Sequence, residues 1–213
     1  MRLRPRTWLS TAETLDISGE VVLACFSNMP VTGIGLGYAL SLTDGALRFT
    51  TASGPIQSSA ALGGGAFLVG YQGYGAFETQ HYDRDGRVRT RWASQGHYII
   101  AGDDIRVIEL TNANPYAMHL ARLLQDGSVV RGERLDGHHT SPPSVCPDGT
   151  ALFFRGGSLL AARDLVIDDR LELCASDART FSTPIAARGE SAYLTLWEWR
   201  QDSQLGRLVR VDR

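Results

Sequence analysis

Apolar and polar positions along the chain alternate with a period of two over short runs, and the runs come in groups of four. Each group is expected to open on a short strand, at residues 15–18, 57–62, 98–101, 143–146 and 183–187. A break rich in Gly or Asp follows, then a strongly apolar strand at 21–26, 66–71, 105–110, 151–154 and 191–197. The third strand covers 38–42, 77–82, 118–124, 159–166 and 205–211 and leads into a tight turn. A more polar fourth strand leaves that turn at 46–50, 87–92, 128–134 and 170–174.

The turns set the period. Asp44-Gly45, Asp85-Gly86 and Asp126-Gly127 are 41 residues apart each time, Asp168-Asp169 follows at 42, and Asp212-Arg213 at 44. Asp-Gly between two β-rich runs predicts a two-residue hairpin of type I′, with positive φ at both central positions. Four strands in this interval make one blade of a β-propeller. The expected fold is therefore all-β: a five-bladed β-propeller with four antiparallel strands per blade, formed by residues 1–213 as one domain.

The fifth group runs out at Arg213 before its fourth strand. Arg2-Leu3-Arg4-Pro5-Arg6-Thr7-Trp8 matches the pattern of Arg87-Val88-Arg89-Thr90-Arg91-Trp92, with arginine at alternate positions and a closing tryptophan. Alternation puts Arg87, Arg89 and Arg91 on one face of their strand. Such charge suits an exposed edge, and Pro5 is tolerated there. The N-terminal strand is thus expected to complete the last blade as a Velcro closure. Counted round the ring, the last interval is 45 residues, and the five intervals use up all 213.

The segment from Tyr82 to Trp92, with Asp83, Asp85, Gly86 and Arg87, resembles the repeat of quinoprotein-type β-propellers, in which an aspartate-rich turn leads through a glycine into a docking tryptophan. Ser141-Pro142-Pro143 and Ser182-Thr183-Pro184 are similar to that superfamily's entry to the innermost strand. The tryptophan is absent from the fourth strands at 128–134 and 170–174, and the Trp-Asp dipeptide of WD repeats does not occur. The resemblance implies architecture and no particular activity.

Composition narrows the partners. A formal net charge of −2 lacks the basic excess of a nucleic-acid binder. All 21 basic residues are arginine, as a GC-rich bacterial genome produces. Cys25, Cys146 and Cys174 are odd in number and form no C-x-x-C pair, so they read as buried apolar residues in a reducing compartment. No signal peptide and no membrane span is visible. A cytoplasmic protein, monomeric by itself, is expected, with no cofactor and no membrane or nucleic-acid partner.

In a propeller the loops between second and third strands share a face with the links between blades. That face is expected to carry Asn28, Met29, Tyr71, Tyr74, Asn114, Tyr116, Trp199 and Arg200, with His97, His138 and His139 in the links. Aromatic and arginine side chains on loops make protein-binding hot spots. Tyr71 and Trp197 equally read as packing residues. Adjacent His138 and His139 point opposite ways in an extended segment, so no metal site is expected. Gly63-Gly64-Gly65 precedes a strand rather than a helix and reads as a turn.

Five-bladed propellers also include glycoside hydrolases, which need two carboxylates at the innermost strands. Only Asp16 lies on a predicted inner strand, with Asp103 and Asp104 just beyond another. The expected function is a non-catalytic protein-binding module, a regulatory or scaffolding subunit of a larger complex. The alternative is a glycoside hydrolase or a carbohydrate-binding propeller that uses its central channel.

Overall fold

The computed structural model describes residues 11–27, 35–72, 77–110, 117–136, 141–174, 180–182, 185–188, 191–200 and 203–212. Every element longer than a turn among them is a β-strand. The first sheet runs in order β1 (Thr11–Ser18), β2 (Val21–Ser27), β3 (Gly35–Ser41), β4 (Leu47–Thr50). The second is β5 (Ile56–Gly63), β6 (Ala66–Gln72), β7 (Phe77–Tyr82), β8 (Val88–Trp92). The third is β9 (Gly96–Ala101), β10 (Asp104–Leu110), β11 (Ala117–Leu123), β12 (Val129–Asp136). The fourth is β13 (Ser144–Val145), β14 (Ala151–Arg155), β15 (Ser158–Arg163), β16 (Val166–Glu172).

In the fifth sheet β17 (Thr180–Ser182) and β18 (Ala186–Arg188) both pair with β19 (Ser191–Arg200), which pairs on its other side with β20 (Ser203–Asp212). One inner strand was expected at 183–187. Among the described residues β17 ends at Ser182 and β18 begins at Ala186, each pairing with its own part of β19. β1 in turn starts at Thr11, so 11–14 is strand rather than link.

The second strands β2, β6 and β14 are largely apolar on both faces, and burial follows. In β6, Phe67, Leu68 and Val69 are all fully buried. A central strand covered on both sides reads as a continuous apolar run for this reason.

The turns differ from type I′. Gly45, Gly86 and Gly127 have φ of 70°, 78° and 88°, whereas Asp164 is the one non-glycine residue with positive φ among the described residues. In the second sheet Gly86 N–H donates to Asp83 O at 2.9 Å and Asp83 N–H to Arg87 O at 3.0 Å. That is a type I turn ending in a left-handed glycine, with the register shift of a bulge between His81 and Tyr82. The cause is the aspartate side chain: Asp83 Oδ1 accepts from Asp85 N and Arg87 N, both at 2.9 Å. This capture holds the first half of the turn right-handed and leaves only glycine to reverse hand.

The fourth turn was expected at Asp168-Asp169. It lies four residues earlier, at Asp164 with φ 57°, and Asp168 and Asp169 belong to β16. Two arginines of the third sheet hold Asp164 there. Arg106 Nη1 donates to its carbonyl at 3.1 Å and Arg122 Nη2 to its carboxylate at 2.6 Å.

The chain forms two compact units, Met1–Gly96 with Leu124–Val129, and His97–Leu123 with Val130–Arg213. In the first, Leu23, Cys25 and Ala39 of the first sheet pack on Phe67, Val69, Tyr71 and Tyr82 of the second. Trp92 is 2% exposed, and its indole N–H donates to Leu124 O at 2.6 Å, docking the β11–β12 turn against β8. The second unit holds two cores. One joins Ile108, Met118 and Leu120 to Phe153 and Leu160; the other joins Leu152, Phe154 and Leu159 to Leu194 and Leu196. Gly132 is required by packing, since a Cβ there would lie 2.3 Å from Leu165 Cβ.

Arg106 is the main polar tie of the second unit. Its side chain is 3% exposed, Nη2 donates to Gly149 O at 2.8 Å, and Nε lies 2.9 Å from Asp104 Oδ2. That last contact is an ion pair without hydrogen-bond alignment. Arg106→Ala removes a buried guanidinium together with its bonds to Gly149 O and Asp164 O and its pairing with Asp104, and the expected loss is about 3 kcal/mol. A urea midpoint within error of wild type, at unchanged slope, would refute this.

Candidate functional site

Polar groups on an inner strand must be satisfied by a neighbouring strand, because the sheet withdraws them from water. On β1, alternation places Thr14, Asp16 and Ser18 on one face and Leu15 and Ile17 on the other. The polar face meets the second sheet. Ser59 of β5 donates its hydroxyl to Asp16 Oδ2, and Thr14 Oγ1 bonds to the same Ser59 oxygen. A hydroxyl has one proton to give, so Thr14 donates to Ser59 and Ser59 to Asp16. One turn further, Gly65 N–H donates to Ser18 Oγ at 2.9 Å.

Asp16 is half-buried, and burial raises its pKa above the ordinary value of 3.8; the Ser59 hydrogen bond opposes the rise and is the smaller effect. A carboxyl of this kind can hold a proton or accept a polar ligand. Acid–base hydrolysis of a glycoside needs a second carboxylate about 5–10 Å away. The described inner strands supply acidic residues only at Glu13 and Asp16, both on β1. Asp104 is committed to Arg106 at 2.9 Å and Arg122 at 2.7 Å. Asp103 sits exposed in the β9–β10 turn.

Of the residues expected on the loop face, Asn28, Met29, Tyr74, Asn114, Tyr116, His138 and His139 lie outside the described residues. Trp199 and Arg200 end β19, opposite Gln204 and Ser203, and their side chains are likewise undescribed. His97 is the second residue of β9; burial pushes its imidazole pKa down and keeps it neutral. Tyr71 is 7% exposed and packs in the core of the first unit, as its packing alternative requires. Its hydroxyl bonds to that of Tyr82 at 3.0 Å, and Tyr82 donates to Gln80 Oε1 at 2.6 Å. Tyr82 also accepts from Ala52 N–H at 2.9 Å, which ties the link after the first sheet to the second.

Sequence reasoning noted Asp16 and missed Thr14 and Ser59. The signal for Thr14 was present as Thr-x-Asp-x-Ser alternating with apolar Leu15 and Ile17. Nothing local marked Ser59, because its pairing with Asp16 spans 43 residues. Gln95, just before β9, is 1% exposed and neither side-chain amide atom has a hydrogen-bond partner. Among the described residues no group of His, Cys, Asp or Glu could hold a metal ion, and no helix is long and apolar enough to cross a membrane.

No protein-family model and no curated protein matches the chain. Among solved structures, the chain is similar to the β-propeller domain of the Trilobed protease from Pyrococcus furiosus, described as having an open velcro topology. The likeness covers 96% of this chain and 83% of that one, at 10% identity and a TM-score of 0.47. The apo AtxE2 isopeptidase is similar over 93% of this chain at 9% identity and a TM-score of 0.34; the chain spans 38% of its length.

The raised pKa of Asp16 has a signed consequence. The folded state binds this proton more tightly than the unfolded chain does, so the contribution is fully present below 3.8 and is lost as pH rises through the folded pKa. The melting temperature of wild type relative to Asp16→Asn should therefore fall as the pH rises above the ordinary value of 3.8. A difference independent of pH would remove the assignment.

Proposed function

We propose that the five sheets are the blades of one β-propeller, closed by the strand Arg2 to Trp8 lying beside β20, and that the ring is a non-catalytic protein-binding module serving a larger complex as a regulatory or scaffolding subunit. The fold part rests on the repeat. Four strands recur at 41 to 44 residue spacing, and among the described residues no strand pairs with the outer side of β20. The terminal sheets also keep apolar side chains uncovered. Leu15 and Ile17 on β1 are 66% and 59% exposed, and Leu208 on β20 is 77% exposed. A closed ring would cover both faces, at about 25 cal/mol per Å² buried.

The binding part rests on the inner strands. The observation that favours binding over hydrolysis is that Asp104 is held by two arginines and Asp16 by Ser59. The Thr14–Ser59–Asp16 cluster favours, as a second reading, a small polar ligand such as a carbohydrate bound at those strands.

Removing residues 1–8 should lower the melting temperature by several degrees, because the last blade loses a strand rather than a loose tail. Unchanged stability would refute the closure. Affinity capture from the native host should retain a protein partner that Trp199→Ala with Arg200→Ala releases. Turnover of chromogenic glycosides, abolished by Asp16→Asn, would overturn the non-catalytic reading.

A further inference from the structure

We propose that the outer edge of β8 takes an extended acidic segment of a partner protein as an added strand; this deepens the protein-binding reading and rests on it. β8 ends the order β5-β6-β7-β8, so one side of its main chain is unpaired within the sheet. An edge strand of this kind is a template for another chain. Strand addition draws affinity from main-chain hydrogen bonds and specificity from alternate side chains.

The alternate side chains here are arginines. Arg87, Arg89 and Arg91 share one face, with no acidic residue between Arg87 and Trp92. Among the described residues, β12 and β16 carry no such stripe: β16 holds Asp168, Asp169 and Glu172, and Arg131 of β12 is bound through two bonds, at 2.6 and 2.7 Å, to Glu109, which is 2% exposed. Arg89 contacts Asp83 at 2.6 Å and Arg91 contacts Glu78 at 3.3 Å, with the arginine side chains 57% and 59% exposed. The exposed Arg91–Glu78 pair is worth about 0–1 kcal/mol, so an incoming carboxylate can replace Glu78 with little loss. Asp83 is only 15% exposed but keeps its bonds from Asp85 N–H and Arg87 N–H when Arg89 leaves it.

The edge also opens into a groove. One wall is Val88, Arg89, Thr90 and Arg91; the other is Gln125, Asp126 and Gly127 of the β11–β12 turn. The second wall is fixed, because the Trp92 indole holds Leu124 O and a Cβ on Gly127 would lie 3.1 Å from Arg91 O. That close approach covers the edge at Arg91, so the groove reaches β8 along Val88, Arg89 and Thr90, and an added segment would pair there. Asp126 is occupied by Ser128 N–H at 2.9 Å and its hydroxyl at 2.6 Å, so its charge is partly spent inside the turn.

The probe is a fluorescein-labelled decapeptide of alternating glutamate and valine, titrated with the full chain by anisotropy. Saturable binding is expected, weakened at least about tenfold by Arg89→Glu with Arg91→Glu and by N-methylation of alternate peptide amides, and weakened by salt. An unchanged circular dichroism spectrum should accompany the double variant, and Arg89→Ala with Arg91→Ala, which sets no glutamate beside Asp83 and Glu78, should weaken binding as well. No binding overturns the proposal. Equal binding of the N-methylated peptide, of a lysine–valine peptide or of short duplex DNA overturns strand addition in favour of nonspecific or purely electrostatic contact. Capture of a native partner through Trp199 and Arg200 while the acidic peptide fails to bind would leave the protein-binding reading intact and remove only the edge.

Discussion

A four-stranded sheet whose central strands are apolar on both faces is stable only when both faces are covered, and most other features of this chain follow from that constraint. β6 sets it most sharply, with Phe67, Leu68 and Val69 all withdrawn from water on alternate sides. Full burial of one such side chain is worth about 1.5–3 kcal/mol. Within the first unit the second sheet covers one face of the first through Leu23, Cys25, Phe67 and Tyr82. Within the second unit the fourth sheet is covered twice, by Ile108 and Leu120 on one side and Leu194 and Leu196 on the other. Sheets in this arrangement need neighbours, and repetition supplies them.

Apolar stacking does not fix how far one sheet slides on the next. Directed bonds do. In the first unit the ties are small and neutral: Thr14 and Asp16 to Ser59, Gly65 N–H to Ser18, and Ala52 N–H to Tyr82. In the second they are charged, with Arg106 and Arg122 of the third sheet reaching the turns of the fourth at Gly149 and Asp164. The positive φ of Asp164 belongs to this tie. An aspartate in that conformation is tolerated, and here both its carbonyl and its carboxylate are engaged by the same pair of arginines.

The same economy limits chemistry. Asp104 is engaged by two arginines and is thereby a poor member of an acid–base pair, whereas Asp16 has its Ser59 bond while burial raises its pKa. What stays available is shape and unspent charge at edges, which is why binding rather than turnover organises the functional reading. The arginine stripe of β8 is legible in both terms: as protection against aggregation when the edge is empty, and as a selector of acidic segments when it is filled.

The sequence by itself determined the groups of four strands, their approximate spacing and the polar outer strands, because a period of two and Asp-Gly turns are local signals, while strand ends such as Thr11 of β1 and Val166 of β16 fell up to four residues from expectation. It also contained the arginine stripe and the isolated carboxylate Asp16. Only the tertiary structure decided the rest. Whether Asp83 would cap its turn depended on backbone geometry around Gly86, so type I′ gave way to a bulged type I turn. The fourth turn moved to Asp164 because Arg106 and Arg122, from another sheet, reward that position, and no window around Asp168-Asp169 could register a bond spanning 58 residues. Ser59 became part of the Asp16 cluster for the same reason: a hydroxyl reads as an ordinary strand residue until the neighbouring sheet brings it a carboxylate.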